Sequence, residues 1–167
     1  MDWSHIPKSI LLTHLSGARG GHATVNLLLG KKNPSGKLNE TYANNLEDYP
    51  SFKFYPGDRN HLEYRESIFV GYRYFDTAQK EVKYPFGFGL SYTSFEYNNM
   101  KVKNNNNLVE VHVTITNTGN FEGKEVVQLY ISCLNSKLFR AKQELKRFKK
   151  VNLMSGESKE VVFSLDE

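Results

Sequence analysis

Cysteine is nearly absent from this chain of 167 residues, in which Cys133 is the only one. One cysteine excludes a disulfide within the chain and supplies no spaced set of thiolate ligands for a metal. The amino terminus has no basic stretch followed by a long apolar one, and no apolar run approaches the length of a membrane span. These absences predict a cytoplasmic protein without a membrane partner. If the chain is a piece of a longer protein, a leader would lie outside it.

Cofactor and metal motifs are also missing. The five histidines are scattered without metal-ligand spacing, and no segment marks a nucleophile elbow or a zinc site. The glycine-rich loop at 16–21 fits neither the GxGxxG pattern nor the P-loop pattern, so we interpret it as tight packing of a helix on a sheet rather than as an anion site. His14 and His22 flank this loop and are the one histidine pair that we retain as a candidate. The sequence predicts no cofactor and no metal site.

The charge balance has a modest positive excess, with a formal net charge of +4. The nearest approach to a basic cluster is 140–150, where Lys and Arg alternate with apolar residues. Such alternation is typical of a strand with one solvated face, and lysines on edge strands prevent pairing with other sheets. We therefore predict no nucleic-acid partner.

The first forty residues have the pattern of half a βαβ unit. Residues 10–12 form a short apolar run that is typical of a buried strand in a parallel sheet. The glycine loop leads into a predicted helix at 21–29, which Gly30 is placed to end. The Asn-Pro-Ser-Gly composition of 33–36 then predicts a turn.

A long polar and aromatic segment follows. Residues 39–60 show neither a helical nor a strand period and contain two prolines, which favours an irregular excursion. Its aromatic side chains are expected to anchor it to a neighbouring surface; they are Tyr42, Tyr49, Phe52, Phe54 and Tyr55. Strand-like character returns at 68–70.

After residue 97 the apolar residues recur with period two, which predicts strands with one buried and one wet face. The inward positions are Val109, Val111, Val113 and Ile115, then Val127, Leu129 and Ile131, and finally Val161, Phe163 and Leu165. Turns are predicted at 117–120 and 154–157, and His112 takes an outward, exposed position. Short alternating strands indicate an antiparallel sandwich, with a single sheet lying on another domain as the alternative.

Several long motifs resemble the C-terminal region of family 3 glycoside hydrolases of the β-glucosidase type. These motifs are NPSGKL at 33–38, VGYRYFD at 70–76, YPFGFGLSYTSFEY at 84–97, KEVVQLY at 124–130 and ELKRF at 144–148. The chain departs from the family at Ala18 and Arg19, where an acidic residue is common, and at Ala141 and Ser155, where proline is common.

The resemblance implies a mixed α+β fold in three parts. Residues 1–38 would be the end of the family's α/β sandwich domain, in the form of its terminal βα unit. Residues 39–94 would be a connecting segment with an aromatic turn, and 95–167 an antiparallel fibronectin type III-like sandwich. Such a sandwich has about seven strands in about 100 residues, whereas 95–167 has room for only five or so. We therefore expect an incomplete sandwich.

The resemblance also implies an activity that the chain is expected to lack by itself. The full-length enzymes hydrolyse terminal non-reducing β-D-glucosyl residues with retention, so their partner is a β-glucoside or oligosaccharide. Their nucleophilic aspartate belongs to a barrel domain and their acid/base glutamate lies well upstream of the Asn-Pro-Ser-Gly motif. Only 32 residues precede that motif here, so we assign no catalytic residue. The alternative is a non-catalytic module that binds carbohydrate or docks on a catalytic partner, and exposed edges make self-association an expectation.

Two pairs of carboxylates have the spacing to be considered for glycosidase chemistry, which needs two carboxyl groups facing one sugar. They are Glu63 with Glu66 and Glu47 with Asp48. Arg65 lies between the first two and offers an ion pair, and the second pair falls in an irregular loop where solvation is expected. We interpret all four as structural or solvated.

The aromatic turn at 84–97 is expected to be a packing element rather than a sugar contact. Phe86, Phe88, Leu90 and Tyr92 occupy alternate positions, so an extended chain would place all four on one buried side. Gly87 and Gly89 would leave the other side bare for close backbone approach. If Phe88 is buried in this way, Phe88→Ala should cost about 3 to 5 kcal/mol.

Overall fold

A computed structural model describes residues 2–58, 60–105 and 108–166. Its helices within these residues are α1 (Gly20–Leu28), α2 (Tyr72–Thr77) and the short 3-10 helices Asp2–His5 and Leu46–Asp48. Its strands are β1 (Tyr42–Ala43), β2 (Val82–Tyr84), β3 (Phe95–Asn105), β4 (Leu108–Asn117), β5 (Gly123–Ile131), β6 (Glu144–Leu153) and β7 (Ser158–Asp166). The fold is mixed, with few helices and mainly antiparallel sheet, as the sequence predicted.

The described chain forms two compact units. The first comprises Met1–Gly36, Leu90–Val127 and Lys149–Glu167, and the second comprises Lys37–Gly89 and Gln128–Phe148. Each unit therefore depends on contacts between segments that are distant in the sequence.

The first unit is organised around an antiparallel sheet with strand order β3-β4-β7. Val111 lies opposite Phe163 and Val113 opposite Val161, and all four side chains are buried. The predicted alternation of β4 and β7 is therefore confirmed. Complete burial of Ile115 on the same face contributes about 2 kcal/mol through removal of its apolar surface from water.

The edge strand β3 is less well covered. Its register shifts between Asn98 and Lys101, where Asn99 has a φ of 56°, so the strand carries an irregularity typical of a bulge. Val102 pairs with Val111 and therefore shares its inner face, yet Val102 is 62% exposed. The apolar face of the sheet is thus open at this end.

Strands β5 and β6 form a second sheet of two strands, so β3–β7 supply the five strands that were predicted. Val127 is buried and Leu129 is half-buried, as expected for inward positions. The prediction for Ile131 is wrong, because this residue ends β5 and is 38% exposed. Residue Glu125, a charged side chain in the same alternation, is buried instead.

The helix α1 confirms the prediction at 21–29 to within one residue at each end. Gly30 follows with a φ of 68°, a left-handed conformation that glycine adopts without steric cost. Its backbone N–H donates to the Leu27 carbonyl, and that of Lys32 donates to the Asn26 carbonyl, at 3.0 and 3.1 Å. These bonds satisfy carbonyls that the helix end would leave open.

Three local predictions are wrong. Residues 10–12 have irregular backbone and are about 40% exposed, because no neighbouring strand among the described residues supplies a ladder of hydrogen bonds. Residues 68–70 end a turn and form no strand. Residues 33–36 run without a turn, because the Asn33 side chain is fixed by distant parts of the first unit.

The second unit packs around Phe75, which is buried in α2. The Tyr49 ring meets Phe75 edge to face at a centroid distance of 5.6 Å, so this aromatic residue of the irregular segment serves as an anchor, as predicted. Gly71 precedes the helix with a φ of 58°, and its carbonyl accepts a hydrogen bond from the Phe75 N–H at 3.3 Å. The short strands β1 and β2 pair beside this segment.

Candidate functional site

The carboxylate pair Glu47 and Asp48 lies in a 3-10 helix, where Asp48 has a local structural task. Its Oδ2 accepts the backbone N–H of Asn45 at 3.0 Å and its Oδ1 accepts from the Lys80 Nζ at 3.2 Å. The Asn45 N–H, followed by Lys80, lowers the pKa of Asp48 below its ordinary value. The charged carboxylate is thus held by the turn that it caps, and Glu47 is exposed.

Glu63 and Glu66 have different neighbours in the structure. Glu63 is bonded to the Arg65 Nε, faces His61 at 3.6 Å and lines a cavity of about 300 Å³. Glu66 lines a different cavity of about 330 Å³. The two carboxylate residues therefore line different cavities.

The retained histidines do not form a site among the described residues. His14 and His22 are exposed, and His14 adopts a φ of 49° in the loop before α1. No cluster of three potential metal ligands exists in the described ranges. His112, predicted to be exposed, is only 14% exposed at its side chain, because Glu110 and Glu160 flank its ring at 3.6 and 3.4 Å.

The prediction for the aromatic turn is wrong for three of its four apolar side chains. Phe88, Leu90 and Tyr92 are exposed to 37, 76 and 49%. The chain is not extended here, because the Phe88 N–H closes a turn onto the Pro85 carbonyl at 3.2 Å, and alternate positions cease to share a side. The large cost predicted for Phe88→Ala therefore does not apply to this partly exposed ring.

The close approach to the backbone that was predicted for the glycines of this turn is observed at Gly87. Gly87 has a φ of 78°, and a Cβ atom added there would clash with the Gln128 side-chain amide. The Gln128 Nε2 donates to the Gly87 carbonyl at 3.3 Å, and the Lys37 Nζ donates to the Gly89 carbonyl at 2.8 Å. A side chain at 87 would therefore have to displace the Gln128 amide from this geometry.

Asn33 organises the first unit in a way that composition did not reveal. Its Oδ1 accepts the Ser91 hydroxyl and the Tyr92 N–H, both at 2.9 Å. Its Nδ2 donates to the Glu122 carbonyl at 3.0 Å. Asn33 of the Asn-Pro-Ser-Gly motif thus joins segments almost 90 residues apart, which is a structural role.

The second unit contains an aromatic cavity, by which we mean the pocket of about 330 Å³ that Glu66 lines. Tyr74, Thr77 and Ala78 form its wall on α2, since positions three and four apart share one helix face. Phe69 and Phe139 also line the cavity, with their ring centroids 4.9 Å apart. This cavity is the candidate functional site of the chain.

Hydrogen bonds fix the segment that carries Phe139 to α2. The Lys142 N–H donates to the Thr77 Oγ1 at 3.0 Å, and the Gln143 Nε2 donates to the Asp76 Oδ2 at 2.8 Å. The Leu145 N–H donates to the Tyr72 hydroxyl at 2.8 Å. The Tyr-Arg-Tyr-Phe-Asp motif therefore holds the cavity wall through its polar groups. Sequence reasoning missed this role, because the partners are about 70 residues away.

Comparison with known proteins places these motifs in a family. The profile of the glycosyl hydrolase family 3 C-terminal domain matches residues 1–92, and that of the fibronectin type III-like domain matches 125–167. The chain belongs to glycoside hydrolase family 3. The match at 1–92 covers α2, the part of the aromatic turn up to residue 92 and most of the aromatic cavity.

Individual relatives of this family 3 chain are enzymes. It is 44% identical over 171 residues to thermostable beta-glucosidase B of Acetivibrio thermocellus, covering 100% of this chain and 23% of the relative. It is 43% identical over 166 residues to an exo-alpha-(1->6)-L-arabinopyranosidase of Bifidobacterium breve, covering 99% of this chain and 22% of the relative. Among solved structures, beta-glucosidase 3B from Thermotoga neapolitana in complex with glucose has a TM-score of 0.93 at 40% identity, over 99% of this chain and 24% of that one.

The chain thus spans under a quarter of the length of these relatives. None of the helices in the described part has the length and apolar character needed to cross a lipid bilayer.

Proposed function

We propose that this family 3 chain is the C-terminal part of a retaining β-glucosidase-type hydrolase and that it contributes no catalytic carboxylate. The complete enzyme would remove terminal non-reducing β-D-glucosyl residues. The observation that carries the proposal is the 44% identity to beta-glucosidase B over the whole of this chain but only 23% of that enzyme. The engagement of Asp48 with Asn45 and Lys80, and of Glu63 with Arg65, supports the second part.

A retaining glycosidase needs an acid that holds its proton and a nucleophile that ionises easily, about 5 to 5.5 Å apart. Glu63 is engaged by Arg65 and Glu66 lines a different cavity, which argues against this pair. Asp48 ionises easily, but its two oxygens are occupied by the helix cap and by Lys80. The chain is therefore proposed to be inactive alone.

The test is release of chromophore from an aryl β-glucoside by the purified chain. We expect no release above that of a heat-treated control. Release that disappears in Glu66→Gln or Glu63→Gln would overturn the proposal, because it would show that one of these carboxylates takes part in turnover. For the complete enzyme, proton NMR of the first product should show the β-anomer, and an initial α-anomer would contradict retention.

Glucose is the sugar proposed, although relatives that act on different sugars are similar to this part of the enzyme. An arabinopyranosidase and a β-glucosidase are almost equally similar to the chain, at 43 and 44% identity. The similarity of this chain to its relatives therefore does not distinguish the two sugars. Assaying the complete enzyme with aryl β-glucoside and aryl α-L-arabinopyranoside would separate the two, and a higher kcat/KM for the arabinoside would replace our choice.

A second candidate function is a non-catalytic module that binds carbohydrate. The density of aromatic side chains over residues 42–97 favours it, because aromatic rings present flat apolar faces to sugar rings. Titration with cellobiose, followed by fluorescence of the single Trp3 and the tyrosines, should then give a saturable change. The absence of saturation up to millimolar sugar would remove this candidate.

A cytoplasmic location also remains a proposal. It rests on the single cysteine, which is free and exposed in the described chain. Fractionation of cells that express the complete protein would test it, and recovery outside the cytoplasm would contradict it.

A further inference from the structure

The aromatic cavity differs from an ordinary surface cleft in the chemistry of its lining. Its lining is mainly apolar and includes Phe69 and Phe139, together with Tyr74 and Thr77 of α2 and Ala78 directly after it. Its volume of about 330 Å³ lies at the lower end of the range for small-molecule pockets, which begins at about 300 Å³. The space suits a single ring rather than an oligosaccharide.

The polar groups at the cavity are few, and most are already engaged. The Arg65 guanidinium pairs with Glu63 and lies 4.5 Å from the centre of the Phe54 ring. The Thr77 hydroxyl accepts the Lys142 N–H. Glu66 is half-buried, and its carboxylate has no hydrogen-bond or ion-pair partner among the described residues. The cavity therefore offers one strong acceptor beside aromatic walls.

The position of that acceptor is set by the backbone. The Phe69 N–H donates to the Glu66 carbonyl at 2.9 Å, closing a turn in which Ser67 has a φ of 53°. Both Glu66 and Phe69 line the cavity, so the turn brings an acidic and an aromatic residue to it together. The Phe139 ring lies against the Phe69 ring at a centroid distance of 4.9 Å, so the two aromatic residues of the cavity contact each other.

We propose that the aromatic cavity binds a phenol, with the ring against Phe69 and Phe139 and the hydroxyl donating to the Glu66 carboxylate. A phenol presents one donor and two apolar faces, which matches one free acceptor between apolar walls. A pyranose presents several hydroxyls, each of which would lose water without finding a partner on the apolar walls. The proposal does not depend on the proposed hydrolase function, since binding requires only the second unit.

The test is fluorine NMR of 4-fluorophenol titrated with the complete 167-residue chain, which has no fluorine of its own. We expect saturable broadening and shift of the fluorine signal. The ether 4-fluoroanisole, which keeps the ring and lacks the hydroxyl donor, should bind at least about five-fold more weakly, because a hydrogen bond to a charged acceptor is lost.

Two variants locate the site. Phe139→Ala should weaken 4-fluorophenol binding about 3- to 10-fold through loss of an aromatic contact, and its 77% exposure means that folding should tolerate the change. Glu66→Gln should weaken binding about five-fold while leaving 4-fluoroanisole unaffected, because only the charge of the acceptor changes. Phe148→Ala is the matched control, since Phe148 is 69% exposed and lies outside the cavity lining, and it should leave binding unchanged.

The proposal is overturned if the folded chain shows no saturable signal up to the solubility limit of 4-fluorophenol. It is also overturned if Phe139→Ala and Phe148→Ala have equal effects, because binding would then not involve the cavity. Displacement of 4-fluorophenol by methyl β-glucoside at equal concentration would assign the cavity to sugar instead. An active or inactive outcome of the aryl β-glucoside assay changes none of these results, so the two proposals fail separately.

Discussion

Asn117 ends β4 with a side chain that is fully buried, and its substitution tests how the first unit is held together. The Oδ1 accepts the Thr93 hydroxyl at 2.6 Å and the Gly119 N–H at 3.1 Å. The Nδ2 donates to the carbonyls of Phe121 and Leu153 at 2.8 and 3.1 Å. All four hydrogen-bonding positions of the amide are thus used.

The expected cost of Asn117→Ala follows from these four bonds. Each bond contributes about 1 kcal/mol net, and a partner left buried without water costs about 1 to 3 kcal/mol. The Leu153 carbonyl bond is buried, whereas the groups of Thr93 and Phe121 are only partly so and can bind water. We therefore expect a loss of about 3 to 4 kcal/mol in the free energy of unfolding, a large part of the usual 5 to 15 kcal/mol.

Asn117→Asp gives a second result with a pH signature. The carboxylate keeps both acceptor bonds but turns an oxygen towards the carbonyls of Phe121 and Leu153, so at neutral pH its cost should equal or exceed that of alanine. Burial and the two carbonyl oxygens should raise the pKa of this carboxyl in the folded state. The protonated carboxyl, which can donate a hydrogen bond, is then favoured in the folded state. The loss of unfolding free energy caused by Asn117→Asp should therefore shrink as pH falls through the raised pKa and return as pH rises.

Urea unfolding followed by far-UV circular dichroism and by tyrosine fluorescence measures these effects through the midpoint and slope. Asn152→Ala is the matched control: its Nδ2 bonds to Glu122 at 2.7 Å on an exposed face, and its cost should stay within about 0.5 kcal/mol. Equal costs for the two alanine variants, or a pH-independent deficit for Asn117→Asp, would refute the reasoning.

Gly87→Ala should destabilise the chain more than Gly156→Ala. Both glycines have a positive φ, so each substitution should introduce backbone strain of about 1 to 2 kcal/mol. Only at position 87 would the added Cβ also clash with Gln128. Equal losses in urea midpoint would show that the Gln128 side chain simply moves away. Burial raises the pKa of Tyr130 to about 12 and holds that of Tyr97 well above its ordinary value. Because the pKa of each tyrosine is higher in the folded state than in the unfolded state, the stability contributed by the two neutral side chains is complete below the ordinary pKa of about 10. This stability is lost as pH rises through the folded-state pKa values. The urea midpoint should therefore fall above about pH 10. Tyrosine-to-phenylalanine variants at these two positions should flatten that fall, and an unchanged alkaline profile would count against the burial argument. Finally, the open sheet edges predict self-association, so the sedimentation coefficient of the chain should rise with concentration; a monomer at every concentration would contradict it.

The sequence by itself determined the family and the regular strands of the first unit. The alternation along β4 and β7 is a local property of the chain, and one buried face is enough to fix which side each residue takes. The end of α1 could also be predicted from the sequence, because Gly30 adopts a conformation that other residues avoid. The long motifs of 33–38, 70–76 and 84–97 were sufficient to identify the C-terminal region of family 3.

Only the tertiary structure determined the conformation and burial of residues whose partners are distant in the sequence. The apolar run at 10–12 has the composition of a strand, but a strand exists only when another strand supplies hydrogen bonds. The alternate aromatics of 84–97 would share a side in an extended chain, and the turn at Gly87 removes that condition.

The same limit applies to the polar residues of the sites. Asn33 and Asn117 both lie in segments with turn composition, yet each is a hydrogen-bonding centre because of groups up to 89 residues away. Glu63 and Glu66 are neighbours in sequence, but one faces Arg65 and the other the aromatic cavity. Local composition states which bonds a side chain can make, whereas the fold alone determines which groups come within hydrogen-bonding distance.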